Sequence, residues 1–480
     1  MQVRCPPVLQ VVQSSVTLQL GFRVDCRQTG RREVLLRDAS PSMHLFSCAG
    51  RTCLCRHGAG KRAAGPRWIS TDCDHERHGQ GRPTGQLNRG ITVVTQDDRI
   101  FAIGRGIAIP ESAARVDGKG KFLIPGLWDM HSHLQACGAG LTDIFIAKGV
   151  VGTRDMGSDL DFIIPLRKRI NSGEILLGPD IVAAGPILDD APPSYPFRRR
   201  VTTATETRVA VADLKRAGVD FIKVHDHTPR EVFFAVAEEA PRLGLTFAGH
   251  VPQSVKVAEA ADAGIKSIEH LSNYEVFGEC LENNETYTLS GCRPLFEKLA
   301  TNGVWQVPTL AFFQALPDIF SGQQLAHAEY ASASLLKMNA DNVVNSKVPA
   351  STLARMRLAG DLTVRHIIRD LASAGSRFLA GCDGLVPGFC LHDELEWFTK
   401  AGLSPLQALQ TATINPAVFL GRTASQGTVE GGKRADLVVL DANPPINIRN
   451  VDRINSVVVR GRLVKKKEIR AILISHRHRN

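Results

Sequence analysis

The sequence predicts an α/β protein, a (β/α)8 TIM barrel with a small β-sandwich domain built from both chain ends. Three observations lead to this prediction. Short apolar strands alternate with helical segments eight times between residues 121 and 383. Strand-like segments rich in Gly, Asn and Pro lie on both sides of that region. No GxGxxG turn follows the first strand, which disfavours a doubly wound open sheet.

Residues 1–88 do not resemble a domain, because no long periodic apolar segment organises them. They are basic and contain six of the eleven cysteines. We expect a disordered or mis-translated region, and one hypothesis is that a frameshift or a wrong start produced residues 1–76. The first residues lack the charged start and apolar block of a signal peptide, so the default expectation is a cytoplasmic protein.

The β-sandwich is assigned to residues 89–122 together with 422–467. Residues 90–104 contain two apolar runs around a polar turn, which predicts a hairpin. Residues 427–464 predict two or three further short strands. Residues 468–480 are expected to form a basic tail.

The barrel is assigned to residues 123–421. Its strands are predicted at residues 121–128, 149–155, 180–187, 219–225, 245–251, 265–271, 304–310 and 377–383. Capping signals at Thr228 and at Ser404, each followed by Pro and then by Glu or Gln at the third position, predict helix starts. Arg154 and Asp155, which end the second strand, are interpreted as a structural ion pair.

The distribution of charge along the chain limits the classes of binding partner that we expect. The net charge of +10 is made of +7 in residues 1–88, +7 in residues 460–480 and −4 between them. The basic ends carry no recognition motif, and no apolar run reaches the roughly 18 residues of a membrane span. We therefore expect neither a nucleic-acid nor a membrane partner, and we expect a small-molecule substrate. Self-association of the chain stays open.

Polar side chains occur where the predicted strands end, which is where barrel enzymes carry their catalytic groups. The first strand ends at His131 and His133, whose spacing of two points both imidazoles to the same face. The other strands contribute Lys223, His250, His270 and Asp383. Each residue alone has an ordinary structural explanation. Together, nitrogen and carboxylate groups converging on one barrel mouth predict a site for Zn or a similar divalent metal.

This set resembles the motif of the amidohydrolase superfamily, which has His-x-His after strand one, Lys on strand four, His on strands five and six, and Asp on strand eight. The segments "IPGLWDMHSH", "FAGHVP", "SIEHLSN" and "FLAGCDG" carry the resemblance, which covers about residues 80–465. Within the superfamily, the chain is most similar to the branch of imidazolonepropionases and barrel-type prolidases.

The resemblance implies one of two metal arrangements. In the binuclear one, Lys223 is carboxylated by CO₂ and bridges two ions, of which His250 and His270 hold the second and the remaining ligands the first. In the mononuclear one, Lys223 is unmodified, His270 faces the substrate and the other four residues hold one ion. In both, a metal-activated hydroxide hydrolyses a C–N bond and Asp383 transfers the proton.

Two further histidines are predicted to bind the substrate. His225 is two residues after Lys223 and faces the same side of its strand, where related prolidase-like sequences tend to have Tyr. His392 begins a helix near the eighth strand, and a structural role at the N-terminus of that helix is the alternative to substrate contact. The substrate implied by the resemblance is an Xaa-Pro dipeptide or a cyclic amide. The same chemistry would serve a lactonase, an esterase or a phosphoesterase, and a non-catalytic barrel is a further alternative.

Overall fold

The computed structural model describes residues 34–36, 44–46, 68–79, 82–191, 197–271, 287–346 and 348–477. The chain divides into two compact units, Met1–Pro66 and Arg67–Asn480. In the first unit, β1 (Val34–Leu36) and β2 (His44–Phe46) pair in antiparallel fashion. Much of the region expected to be disordered or mis-translated lies outside the described residues.

The second unit contains eighteen described strands. They are β3 (Trp68–Gly79), β4 (Arg82–Gln96), β5 (Arg99–Gly104), β6 (Ala114–Val116), β7 (Phe122–Pro125), β8 (Leu127–Ser132), β9 (Val150–Asp155), β10 (Asp180–Ala183), β11 (Ile187–Asp189), β12 (Arg198–Arg200), β13 (Phe221–Val224), β14 (Thr246–Gly249), β15 (Ser267–Glu269), β16 (Trp305–Val307), β17 (Arg377–Phe378), β18 (Leu437–Leu440), β19 (Ile454–Val459) and β20 (Arg462–Lys465).

The helices lie mostly between the strands of the central region. They are α1 (Leu134–Cys137), α2 (Thr142–Ala147), α3 (Leu160–Asn171), α4 (Ala204–Ala217), α5 (Arg230–Arg242), α6 (Val257–Asp262), α7 (Leu289–Thr301), α8 (Leu310–Phe320), α9 (Ala333–Ser346), α10 (Ala350–Leu362), α11 (Ile368–Ser373), α12 (Phe389–Lys400), α13 (Pro405–Thr411), α14 (Ile414–Phe419) and α15 (Lys466–His476). In the described part of the chain, no helix combines the length and the apolar character that a membrane crossing requires.

One sheet combines strands from both sides of the central region, in the order β20-β19-β18-β7-β3-β4-β5, with β6 beside β3. Its apolar core includes Ile69, Val93, Leu123 and Leu437. The predicted hairpin is present as β4 and β5, and Asp97 turns between them with a φ of 51°. The two-layer sandwich stays a prediction.

Two predicted boundaries are wrong. Residues 68–88 belong to this sheet, because β3 and β4 pair with each other and the backbone of β3 is in register with β7. A ladder is held by main-chain groups, so a polar, Gly-rich segment can join it without an alternating apolar pattern. The expected basic tail contains the helix α15, which buries Ile469.

The central region is a mixed α/β structure, and all eight predicted strands overlap observed ones. They form two parallel sheets, β10-β9-β8 and β12-β11-β13-β14-β15-β16-β17. Asp220 N donates to Ala183 O (2.8 Å) at one junction of the two sheets, and Met130 N donates to Ala380 O (2.8 Å) at the other. The first predicted strand is divided at Gly126 into β7, which pairs with β18, and β8, which pairs with β9.

Candidate metal centre

The strands of the central region end in titratable side chains that face one another. His131 is the penultimate residue of β8, His270 directly follows β15 and Asp383 follows β17. One ligand atom of each lies within 4.8 Å of the other two. His133 Nε2 is 3.4 Å from Asp383 Oδ1. The ring of His250, which follows β14, is 4.8 Å from the ring of His270. The structure therefore brings five of the six predicted ligands to one edge, where the ends of parallel strands meet.

Lys223, the sixth predicted ligand, lies on β13 and is only 1% exposed. Burial lowers the pKa of its ammonium group to about 8, although the charges of Glu269 and Asp383 oppose the shift. A lysine with this pKa is partly neutral near pH 8, and a neutral amine is the form that can act as a nucleophile. Its modification stays a prediction.

The four predicted histidine ligands share one arrangement, in which Nδ1 is hydrogen-bonded to an oxygen acceptor on another strand or in a loop. The pairs are His131 with Glu269 Oε2 (2.7 Å), His133 with Gly157 O (3.3 Å), His250 with Asp226 Oδ1 (2.6 Å) and His270 with Thr309 Oγ1 (2.6 Å). When Nδ1 carries the proton for such a bond, Nε2 is left with the lone pair that ligates a metal.

His131 Nε2 tests whether the residues fit a metal. It is buried, has no hydrogen-bond partner among the described residues, and lies 3.7 Å from Asp383 Oδ1. Burial, together with the charges of His270 and Lys223, holds the pKa of His131 well below its ordinary value, so the ring is neutral. A buried lone pair that faces a carboxylate oxygen without a proton between them fits a cation. The imidazole and carboxylate donors suit Zn.

Asp383 is held in an uncommon backbone conformation, with a φ of 58°. Its N–H donates to His131 O at 2.7 Å. Burial opposes ionisation of its carboxyl group, but His270, His131 and His133 outweigh burial and hold the pKa of Asp383 well below its usual range. The backbone of His270 is also in the left-handed region, with a φ of 59°. Such conformations are characteristic of functional sites, because the surrounding structure must hold them.

A family model for the amidohydrolase family matches residues 122–464. The chain belongs to the amidohydrolase family. This membership confirms the prediction of an enzyme, a hydrolase that acts on carbon–nitrogen bonds.

Individual relatives of this amidohydrolase are distant. A probable imidazolonepropionase from Nematostella vectensis is 24% identical over 406 residues, which is 75% of this chain and 85% of the relative. An ochratoxinase from Aspergillus niger is 23% identical over 431 residues, covering 76% of this chain and 80% of the relative. The crystal structure of a putative prolidase from Bifidobacterium longum is 26% identical, with a TM-score of 0.65 over 86% of this chain and 98% of that one.

A second cluster of possible metal ligands in this amidohydrolase shares His250 with the cluster around Asp383. One ligand atom each of His225, Asp226 and His250 lies within 4.8 Å of the other two. The ring of His225 stacks on the ring of His250 at 3.8 Å, and Arg198 lies 3.4 Å from His225 Nδ1. His225 thus lies beside the centre, as predicted, and its contact with substrate stays a prediction. Thr228 binds His225 N and Leu188 O instead of capping α5.

The interpretation of Arg154 and Asp155 as an ion pair is wrong, because adjacent residues on a strand point in opposite directions. Arg154 donates to both carboxylate oxygens of Glu269 at 2.9 and 3.0 Å, and both side chains are fully buried. Asp155 instead accepts from Leu134 N and from Ser158. Glu269, whose charge is balanced by Arg154, therefore positions His131 through its hydrogen bond with Nδ1.

His392 is held by protein groups, and its contact with substrate stays a prediction. Its Nε2 is 2.9 Å from Lys148 O, and its Nδ1 is 3.2 Å from Asp452 Oδ1. The ring is 9% exposed and both nitrogens are engaged with protein groups. His392 therefore fastens α12 to the segments that contain Lys148 and Asp452.

Proposed function

We propose that this amidohydrolase hydrolyses an amide-type C–N bond in a small molecule at a divalent metal centre, in a closed (β/α)8 barrel. The observation that carries the proposal is the buried His131 Nε2, which faces Asp383 and finds no hydrogen-bond partner in the part of the chain that the structure describes. The hydrogen bonds at both junctions of the two parallel sheets support the closed barrel.

The residues that would hold metal are the six strand-end side chains. His131, His133 and Asp383 would hold one ion, and His250 and His270 would hold a second. A carbamate on Lys223 would join the two. A bound divalent ion polarises a carbonyl group and makes water acidic enough to attack it near neutral pH. The lowered pKa of buried Lys223 supports the binuclear form, because reaction with CO₂ requires the neutral amine.

Asp383 has the role of moving the proton. Its carboxyl group is ionised at neutral pH and lies 3.4 to 3.7 Å from the nitrogens of three histidines. As an anion it can accept the proton of the attacking water and return it to the leaving nitrogen. The attacking oxygen forms the new bond to the carbonyl carbon, and the C–N bond breaks as the nitrogen is protonated.

The substrate class is drawn from the relatives, which include a probable imidazolonepropionase, an ochratoxinase and a putative prolidase. We propose a small amide, either an N-acyl amino acid of the Xaa-Pro type or a cyclic amide. Zn is the first candidate metal, because imidazole nitrogen dominates the ligand set.

The test combines metal analysis with two histidine variants and a substrate panel. The panel contains Xaa-Pro and other N-acyl dipeptides, cyclic imides and lactones. We expect His131→Ala to lose at least one equivalent of metal and to lower kcat/KM at least about 100-fold, with an unchanged circular-dichroism spectrum. His366→Ala removes an exposed histidine and is the matched control. We expect this variant to keep both the metal content and the kcat/KM of the wild type. Full amide hydrolysis by metal-free protein, or by His131→Ala, would overturn the proposal.

A further inference from the structure

A disulfide joins the segment that carries Asp383 to the helix that follows it. Cys382 directly precedes Asp383, and Cys390 lies in the first turn of α12. The two cysteines are eight residues apart and their Cα atoms are 5.5 Å apart. Both are buried, at 1% and 2% exposure. The bond therefore closes a short loop at the candidate metal centre.

The same loop begins with a backbone that the surroundings must hold in place. The N–H groups of Cys382 and Asp383 both donate to His131 O, at 3.0 and 2.7 Å. Cys382 N also lies 3.1 Å from Asp129 Oδ1. Asp383 has a φ of 58°, which is unfavourable for a residue other than glycine. Once the disulfide is absent, these hydrogen bonds, the contacts of the carboxylate with three histidines and local packing would have to hold Asp383 at the centre without a covalent restraint.

A cavity lies beside the bond. It has a volume of about 280 Å³ and is lined in part by Cys390, Leu385 and Val386. Its lining also includes the charged residues Glu396 and Arg449. A dithiol of a few carbon atoms can enter such a space, and attack on a disulfide requires access to one of its sulfur atoms.

We propose that the disulfide of Cys382 and Cys390 is a redox modification site that controls the position of Asp383. A thiolate of a small dithiol attacks the sulfur of Cys390, and Cys382 leaves and takes up a proton. The second thiol of the reagent then displaces Cys390, so the protein gains two thiols and the dithiol becomes a cyclic disulfide. Reduction frees the loop 383–389. Oxidation by a disulfide such as oxidised glutathione, which is itself reduced to two thiols by the same exchange, restores the bond.

The control of catalysis through Asp383 rests on the proposed function, while the release of the loop does not. Cytosolic disulfides are usually transient and catalytic or redox-sensing. In a reducing compartment, this site would thus set the fraction of molecules whose Asp383 is in place.

The experiment treats the full chain with dithiothreitol, removes the reagent under anaerobic conditions because a dithiol itself binds Zn²⁺, and then measures three quantities. Alkylation followed by mass spectrometry reports the thiols at Cys382 and Cys390. Amide hydrogen exchange reports the loop 383–389, and chelator competition reports the affinity for Zn²⁺. We expect reduction to raise exchange in the loop about tenfold or more and to weaken Zn²⁺ binding about tenfold, both reversed by reoxidation.

Two variants assign the effect to this bond. The double variant Cys382→Ser with Cys390→Ser should show raised loop exchange without reductant and no further response. Cys292 is also disulfide-bonded, so Cys292→Ser is the matched control and should keep the full response. Reduction of Cys382 and Cys390 without a change in loop exchange would overturn the inference, as would a double variant that still responds. Loop release in a protein that binds no Zn²⁺ would count against the proposed function and in favour of the redox site.

Discussion

Replacing Glu269 with Gln tests the support beneath the metal centre. The carboxylate accepts hydrogen bonds from His131 Nδ1 (2.7 Å), Ser267 Oγ (2.6 Å) and Arg154 Nη2 (2.9 and 3.0 Å), and it is fully buried. Gln has nearly the same shape, but it carries no charge and would turn an NH₂ group toward these donors. Arg154 would then keep a buried charge without its counter-ion.

The magnitude follows from the burial of the pair. Breaking a buried ion pair by removing one partner costs about 3–5 kcal/mol of the free energy of unfolding. Loss of the acceptor for His131 Nδ1 should weaken metal binding about 10–100-fold. Urea unfolding of the metal-free protein measures the first quantity, and chelator competition for Zn²⁺ measures the second.

Glu259→Gln is the matched control for this variant. Glu259 also accepts two hydrogen bonds from one arginine, Arg230, at 2.6 and 2.9 Å, but both side chains are exposed. We expect it to leave Zn²⁺ affinity unchanged. If Glu269→Gln matches this control in both measurements, the reasoning that Glu269 orients His131 and neutralises Arg154 is refuted.

Three further variants test other parts of the structure. Asp226→Asn weakens the acceptor of His250 Nδ1 and should lower Zn²⁺ affinity about 10–100-fold, as measured by chelator competition. His392→Ala leaves the buried carbonyl of Lys148 without this partner and should lower the free energy of unfolding, measured in urea, by about 1–3 kcal/mol. KM should stay unchanged, and a raised KM would indicate that His392 contacts the substrate. Gly381→Ala would place a Cβ 2.6 Å from the Cβ of His131 and should cost about 1–3 kcal/mol, while wild-type stability and Zn²⁺ affinity would contradict the close contact.

The strand-end residues could be predicted because a rule connects local sequence to position. Eight parallel strands must present their C-terminal ends at one edge, so a polar residue at each end is placed before the packing is known. The acceptors behind the histidines follow no such rule. Glu269 supports a histidine 138 residues earlier in the chain, and Thr309, which supports His270, precedes the helix that follows β16. The segment "SIEH" shows a carboxylate beside a histidine, but the sequence does not show which side of the strand the side chain of Glu269 faces.

Other placements could not be worked out from local pattern. The direction of the His392 side chain depends on the rotation of a helix about its axis, and its nearness to β17 in sequence does not determine that rotation. The boundary at residue 88 depended on apolar periodicity, whereas β3 is recruited by the main chain of its neighbours. Tertiary pairing overrides local pattern most easily in strands.

The pairing of β7 with β18 has a consequence for synthesis on the ribosome. Phe122 and Leu440 are register partners, so the strand that leads into His131 emerges long before its neighbour exists. One edge of β7 stays without that partner while the whole α/β region is made, and an unpaired edge is prone to aggregate. Nascent chains stalled before residue 437 should therefore depend on chaperones that cover strand edges, and full-length chains should be released from them once β18 is made.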